Sequence, residues 1–342
     1  MRAWWNARRE RRTMAGLLET FRSSLVPGEW RLQGPLAWQP PEAAGEADGY
    51  QEQLRAALLP EGGRPFRMLF SDGGDRAACD TVIARGDWTL LVERSRTRVL
   101  RFTREPERAE RLLENARWLS RSFRCPQVEP LTDVPAGWSG VAESFVSGEP
   151  IREAPQDAWE PAFRELLSMC RTHVQWCEGA FDATPVQQEL EQWRLPRWLS
   201  RAVERHATGW QALLDGCPLL RGHADCHNGN VFVLPDGSVC LIDLERAQSL
   251  PFFFDALSLL RGSAPVNQFL RQAYLAGRFD EPLRHLWMEA GRTWAPENRE
   301  AALMAMALAH AFRPQFAQAS SNKRRDKFIG ACEKLRSDCG WE

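Results

Sequence analysis

The residues best suited to chemistry lie between His223 and Glu245. One group is His223-Ala-Asp-Cys-His-Asn-Gly-Asn230; the other, Leu241-Ile-Asp-Leu-Glu245, follows across a turn signal at Pro235-Asp-Gly237. Moving a phosphoryl group from ATP to a hydroxyl requires a carboxylate to orient the attacking oxygen, and oxygen ligands for a magnesium ion that bridges the phosphates. Asp225, Asn230 and Asp243 are residues of those types. Either half of the pattern alone is weak, because Asp, Asn and Gly are ordinary turn residues. Both halves, in order and joined by a hairpin, form a composite pattern of much higher specificity.

These segments resemble the H-x-D-x-x-x-x-N loop and strand-end aspartate of the aminoglycoside phosphotransferase and choline kinase family. Close variants of His-Gly-Asp-Leu-His-Pro-Gly-Asn, followed by Ile-Asp-Phe or Ile-Asp-Leu, are typical there. The resemblance implies ATP and Mg2+ as cofactors, Asp225 as general base or orienting group, Asn230 as a magnesium ligand and Asp243 as the main one. His223 then holds the loop against the metal-binding segment. His227 either assists at the transferring phosphate or hydrogen-bonds within its own loop. Glu245 is either a further metal or substrate ligand or a solvated loop residue, and Asp255 matches a family aspartate with a structural role. The implied fold is α+β and protein-kinase-like, with a small antiparallel-sheet lobe of five strands and one helix and a larger, mainly helical lobe.

Such a sheet lobe needs a glycine-containing phosphate loop, a basic residue on a strand and a glutamate on the next helix. Short runs rich in Val, Leu and Phe at Phe66–Phe70, Thr81–Ala84, Trp88–Val92 and Arg98–Phe102 read as antiparallel strands, and Glu105–Phe123 as an amphipathic helix. Gly73 and Gly74 are the phosphate-loop candidates, though adjacent glycines also make plain hairpin turns. The usual strand lysine is missing: the chain's lysines are Lys323, Lys327 and Lys334. Arg101 takes the expected place and keeps the charge, offering a planar fork of donors to phosphate oxygens. Glu114 is its expected helix partner. Val141-Ala-Glu-Ser-Phe-Val146 resembles the family's hinge, so adenine is expected on backbone groups of Glu143 and Phe145.

Three segments position these residues. Residues 1–63 read as an N-terminal helical extension with a Pro- and Gly-rich connector over 33–63, residues 64–146 as the sheet lobe, and residues 147–342 as the helical lobe with the catalytic loop and metal-binding segment. Met14, Leu17, Leu18, Phe21 and Leu25 fall on one helical face. Trp4, Trp5 and five arginines precede that face, so the helix either packs on the enzyme body or makes peripheral contact with an anionic membrane.

A net charge of −1 gives no global field for nucleic acid. Nine scattered cysteines without zinc spacing read as reduced thiols. With no apolar run of signal-peptide length at the N-terminus, a cytoplasmic protein is expected. The acceptor is expected to be a small molecule or a glycan. Ile242-Asp-Leu-Glu-Arg-Ala-Gln248 is similar to a run in lipopolysaccharide core sugar kinases, which keeps an acceptor at the inner membrane face open. Arg101 in place of lysine keeps a non-catalytic binding module open as a third reading.

Overall fold

The computed structural model describes residues 2–40, 49–59, 65–70 and 78–342. The chain divides into two compact units, one running through Glu114 and over Pro126–Phe145, the other over Asn115–Cys125 and Val146–Glu342.

The first unit is built on an eight-stranded antiparallel sheet. Its strands are β1 (Gly28–Gln33), β2 (Leu36–Trp38), β3 (Phe66–Phe70), β4 (Cys79–Arg85), β5 (Trp88–Glu93), β6 (Arg98–Thr103), β7 (Val128–Pro130) and β8 (Ser139–Ser144). Their order across the sheet is β3-β1-β2-β4-β5-β6-β8-β7. Of the expected strands, β4, β5, β6 and β8 are neighbours in that order, but β3 is a correction: it pairs with β1 and is separated from β4 by β1 and β2, while β7, which the sequence reading did not include, closes the other edge. β4 and β5 are closed by a two-residue turn at Gly86-Asp87, where Gly86 takes a φ of 60°, a conformation that costs glycine nothing.

Three helices accompany the sheet: α1 (Arg2–Thr20), α2 (Gly49–Leu58) and α3 (Pro106–Leu119), whose last turn belongs to the second unit. Met14 and Leu18 of α1, with Phe21 and Leu25 just beyond it, are buried against Trp30, Leu32, Val82, Leu91 and Phe102. The apolar stripe is thus consumed by the sheet. The side chains of Trp4, Trp5 and the arginines through Arg11 lie outside the described residues.

The connector expected over 33–63 is a correction. β1 ends within it and β2 lies inside it, with Leu36 paired to Ile83 and Trp38 to Thr81 of β4. Gly34 and Pro35 are a hairpin turn rather than linker, and Trp30, Leu32, Leu36 and Trp38 supply the buried faces of its strands.

The second unit is mainly helical: α4 (Gln156–His173), α5 (Thr184–Gln192), α6 (Arg197–Arg205), α7 (Ala207–Leu214), α8 (Phe254–Ser258), α9 (Pro265–Leu275), α10 (Asp280–Glu289), α11 (Arg299–Ala311) and α12 (Ser321–Glu333). α11 is buried all round from Ala301 to Ala311, so it is the axis of the unit, and its alternating alanines let neighbouring helices approach closely. Short strands interrupt the helices: β9 (Glu149–Pro150), β11 (Val231–Val233) and β12 (Val239–Leu241) form one ribbon, and β10 (Leu219–Gly222) pairs with β13 (Gln248–Pro251). No helix among the described residues is long and apolar enough to cross a membrane.

Candidate active site

The β10–β11 loop is held by a web of backbone contacts. At its start, the buried Asp255 carboxylate on α8 accepts from the amides of His223 (2.6 Å) and Ala224 (2.8 Å). Gly222 is required there, because a Cβ would overlap Asp255 Oδ2. His223 Nδ1 accepts from the Asp225 amide at 3.2 Å, which leaves the proton on Nε2 to donate to the Ile242 carbonyl at 2.8 Å. The imidazole thereby ties the loop to the segment that follows β12. Asn230 closes the circuit: its Nδ2 donates to the Asp225 carbonyl at 3.1 Å, and its own carbonyl accepts from the Ile242 amide at 3.0 Å.

Two non-glycine residues here adopt left-handed backbone, Ala224 (φ 66°) and Asp243 (φ 64°). Each costs roughly 1 kcal/mol or more and persists only where the surroundings over-determine it. Asp243 turns the chain from β12 into a 3-10 turn at Leu244–Arg246, and the Leu244 carbonyl is fixed by Asn115 Nδ2 at 2.8 Å. Asn115 is in turn oriented by Arg221 Nη2 at 2.6 Å. Asp225 is part-buried, and Arg246 Nε lies 3.6 Å from its Oδ2.

In the sheet unit, Arg101 on β6 is buried and donates through Nη1 to Glu143 Oε1 on β8 at 3.0 Å. Its guanidinium carbon lies 4.7 Å from the centroid of the Trp88 ring, a cation–π distance. A buried ion pair of this kind costs desolvation and holds its partners in one geometry.

The model of the phosphotransferase enzyme family matches residues 85–289, more than half of the chain. The chain belongs to that family. Solved structures similar to it include an aminoglycoside phosphotransferase from Alicyclobacillus acidocaldarius, with 14% identity over 77% of this chain and 91% of that one and a TM-score of 0.43. Another is the APH(3'')-Id enzyme of Streptomyces rimosus in complex with ADP and streptomycin, with 14% identity over 71% and 94% and a TM-score of 0.40. A thermostable mutant of APH(4)-Ia in ternary complex with AMP-PNP and hygromycin B is similar at 12% identity over 75% and 92%, with a TM-score of 0.47. No curated protein sequence matches the chain significantly.

In this phosphotransferase the fold is the expected α+β, protein-kinase-like one. The loop circuit described above ties Asp225 to Asn230 and ties both to Ile242, the residue before Asp243, and Glu245 sits part-buried in the turn after Asp243. His227 Nδ1 accepts from the Gly229 amide at 2.9 Å, so its exposed ring serves the loop through that nitrogen. Arg101 and Glu143 meet in the sheet unit. Glu114 lies on the exposed side of α3. Gly73 and Gly74 lie outside the described residues.

The hinge expectation needs correction at Glu143 and Phe145. Glu143 is flanked by Val99 on one side and Val128 on the other, inside the sheet rather than at an open edge. The Phe145 amide donates to the Thr97 carbonyl at 2.8 Å, so the donor reserved for adenine is engaged. Sequence reading also passed over Gly86, a lone glycine whose turn precedes the Arg101 strand by one hairpin; its signal was the Gly-Asp dipeptide between two apolar runs.

The donor set suits magnesium. Asn230 and Asp243 offer hard oxygens, and among the described residues no cluster of three or more His, Cys, Asp or Glu side chains forms a ready-made metal cage.

Removing the loop's anchor has a predictable cost. Asp255→Ala leaves two buried amides without an acceptor and is expected to destabilise the chain by roughly 2–5 kcal/mol. Urea unfolding monitored by circular dichroism reads this out directly. A variant as stable as the parent would show that other groups hold the loop.

Proposed function

We propose that the protein transfers the γ-phosphoryl group of ATP, with Mg2+, to a hydroxyl of a small molecule or glycan. The observation that carries this reading is the hydrogen-bonded circuit that ties Asp225 and Asn230 to each other and to Ile242, directly before Asp243. Asp225 orients the acceptor hydroxyl and receives its proton. Asn230 and Asp243 hold magnesium, with Glu245 as a further ligand near them. Bound magnesium supplies charge neutralisation for the phosphates. His227, through the ring nitrogen its loop does not use, donates to a phosphate oxygen.

In the sheet unit, Arg101 is the phosphate-binding cation, steered by Glu143 and assisted by Glu114 on α3. The Gly86-Asp87 turn is the second candidate phosphate loop beside Gly73-Gly74. Residues 64–146 and 147–342 are the proposed functional halves, with β1 and β2 added to the first. A peripheral membrane contact through Trp4 and Trp5 remains part of the proposal, as does a lipopolysaccharide core sugar among the glycan acceptors.

Arg101→Ala is expected to weaken binding of an ATP analogue by at least about tenfold, since phosphate charge then lacks its fork of donors. Arg101→Lys keeps the charge without the fork and should recover part of the affinity. Calorimetric titration distinguishes these outcomes. Unchanged affinity in Arg101→Ala would favour a non-catalytic binding module over an enzyme that uses this residue.

A further inference from the structure

Three arginines of the helical unit gather around Asp225, and each is held differently. Arg313 is buried, donates to the Ala224 carbonyl at 2.7 Å, and lies 5.8 Å and 5.4 Å from the Phe254 and Phe316 ring centroids. With its amide turned to match, Gln315 accepts from the remaining Arg313 nitrogens at 2.6 Å and 3.2 Å. That guanidinium is fully occupied in supporting the loop.

Arg261 is not occupied in this way. It is half-buried at the end of a 3-10 turn over Leu259–Arg261, and Nη1 donates to His310 Nε2 at 2.6 Å. His310 is a neutral partner, since burial and the surrounding cations push its pKa down to about 2. Among the described residues no carboxylate lies within ion-pair distance of Arg261, and Asp225 is the negative charge that acts on it. Arg246, on the turn after Asp243, is half exposed, and its carboxylate neighbour is again Asp225, at 3.6 Å.

Arg246, Arg261 and Arg313 lie near Asp225 and Asp255; Asp255 is consumed by two amides, and the nearby carboxylates of Asp243 and Glu245 are those assigned above to magnesium, which leaves Asp225 alone to answer the arginines. A desolvated guanidinium with no carboxylate of its own is costly to keep unless an anion arrives to meet it. A cationic acceptor would meet repulsion at this place.

We propose that the acceptor carries an anionic group, a phosphate or a carboxylate, close to its reactive hydroxyl, and that Arg246 and Arg261 receive that group. The proposal rests on Asp225 being the residue that orients the acceptor. Arg261, held through Nη1 by His310, offers the rest of its planar fork to the anion, and Arg246 closes on the same anion from its half-exposed turn. Transfer then yields a product with one more phosphate than the substrate.

The test titrates the full chain with inorganic phosphate, glucose 6-phosphate, glucuronate, glucose and kanamycin, with and without saturating AMP-PNP and magnesium. Glucose 6-phosphate or glucuronate should bind at least about tenfold more tightly than glucose, and kanamycin should not outcompete either. The preferred acid identifies phosphate or carboxylate as the recognised group. Arg261→Gln and Arg246→Ala should each erase the preference while leaving AMP-PNP affinity unchanged. Should Arg261→Gln fail to fold, Arg246→Ala carries the test, because its side chain is half exposed. Equal binding of glucose and both acids, tighter binding of kanamycin, or a preference that survives both substitutions overturns the proposal. A parent chain that binds no AMP-PNP refutes the phosphotransfer reading instead, since arginine-dependent phosphate binding is scored separately in the nucleotide-free protein.

Discussion

Asp225→Asn is expected to lower turnover by about 10²–10⁴-fold while leaving the affinity for an ATP analogue essentially unchanged. The backbone of residue 225 is gripped by its amide to His223 and its carbonyl from Asn230, and neither contact involves the side chain. An asparagine therefore keeps the loop in place. What it loses is the charge that orients the acceptor hydroxyl and accepts its proton, together with the ion pair to Arg246. Steady-state turnover and calorimetry, run on the same preparation, separate the two quantities. Loss of nucleotide binding in parallel with turnover would assign Asp225 to the fold or to the metal rather than to the acceptor.

The second large effect concerns Asp243. Asp243→Asn is expected to abolish the gain in nucleotide affinity that magnesium gives the parent chain, a loss of about 100-fold. Asparagine is the appropriate replacement because residue 243 has a φ of 64°, a region that Asn tolerates nearly as well as Asp and that alanine resists. The backbone frame survives, and the carboxylate charge does not. Titrations of AMP-PNP with magnesium and with chelator, on parent and variant, give the four affinities needed. An equal magnesium-dependent gain in both proteins sinks the assignment.

The loop over His223–Asn230 was legible as one tight unit because its constraints are local. Asp225, Asn230 and His223 share that loop, and Asp243 follows the second strand of the hairpin after it, so the spacing itself carries the geometry. Where partners come from strand register, spacing is silent. The Arg101–Glu143 pair depends on β6 and β8 aligning Val99 with Glu143, which sets Arg101 diagonally across from that carboxylate. The engagement of the Phe145 amide by Thr97 has the same origin. Composition misled over 33–63, where proline and glycine suggested a linker although Leu36 and Trp38 carried a strand. Nor did any motif mark Arg261, since its meaning lies in what does not surround it.

Arginine at position 101 also fixes the covalent chemistry that the sheet unit can undergo. Guanidinium stays protonated and is a poor nucleophile, whereas a lysine in a desolvated site loses its proton readily and attacks acyl donors. The chain's three lysines, Lys323, Lys327 and Lys334, lie on α12 or immediately after it, at the far end of the sequence from Arg101. Reactive acyl-nucleotides that tag an amine beside a bound phosphate have no target on this sheet. Tagging of that kind would read nothing from this sheet, whatever nucleotide it was offered.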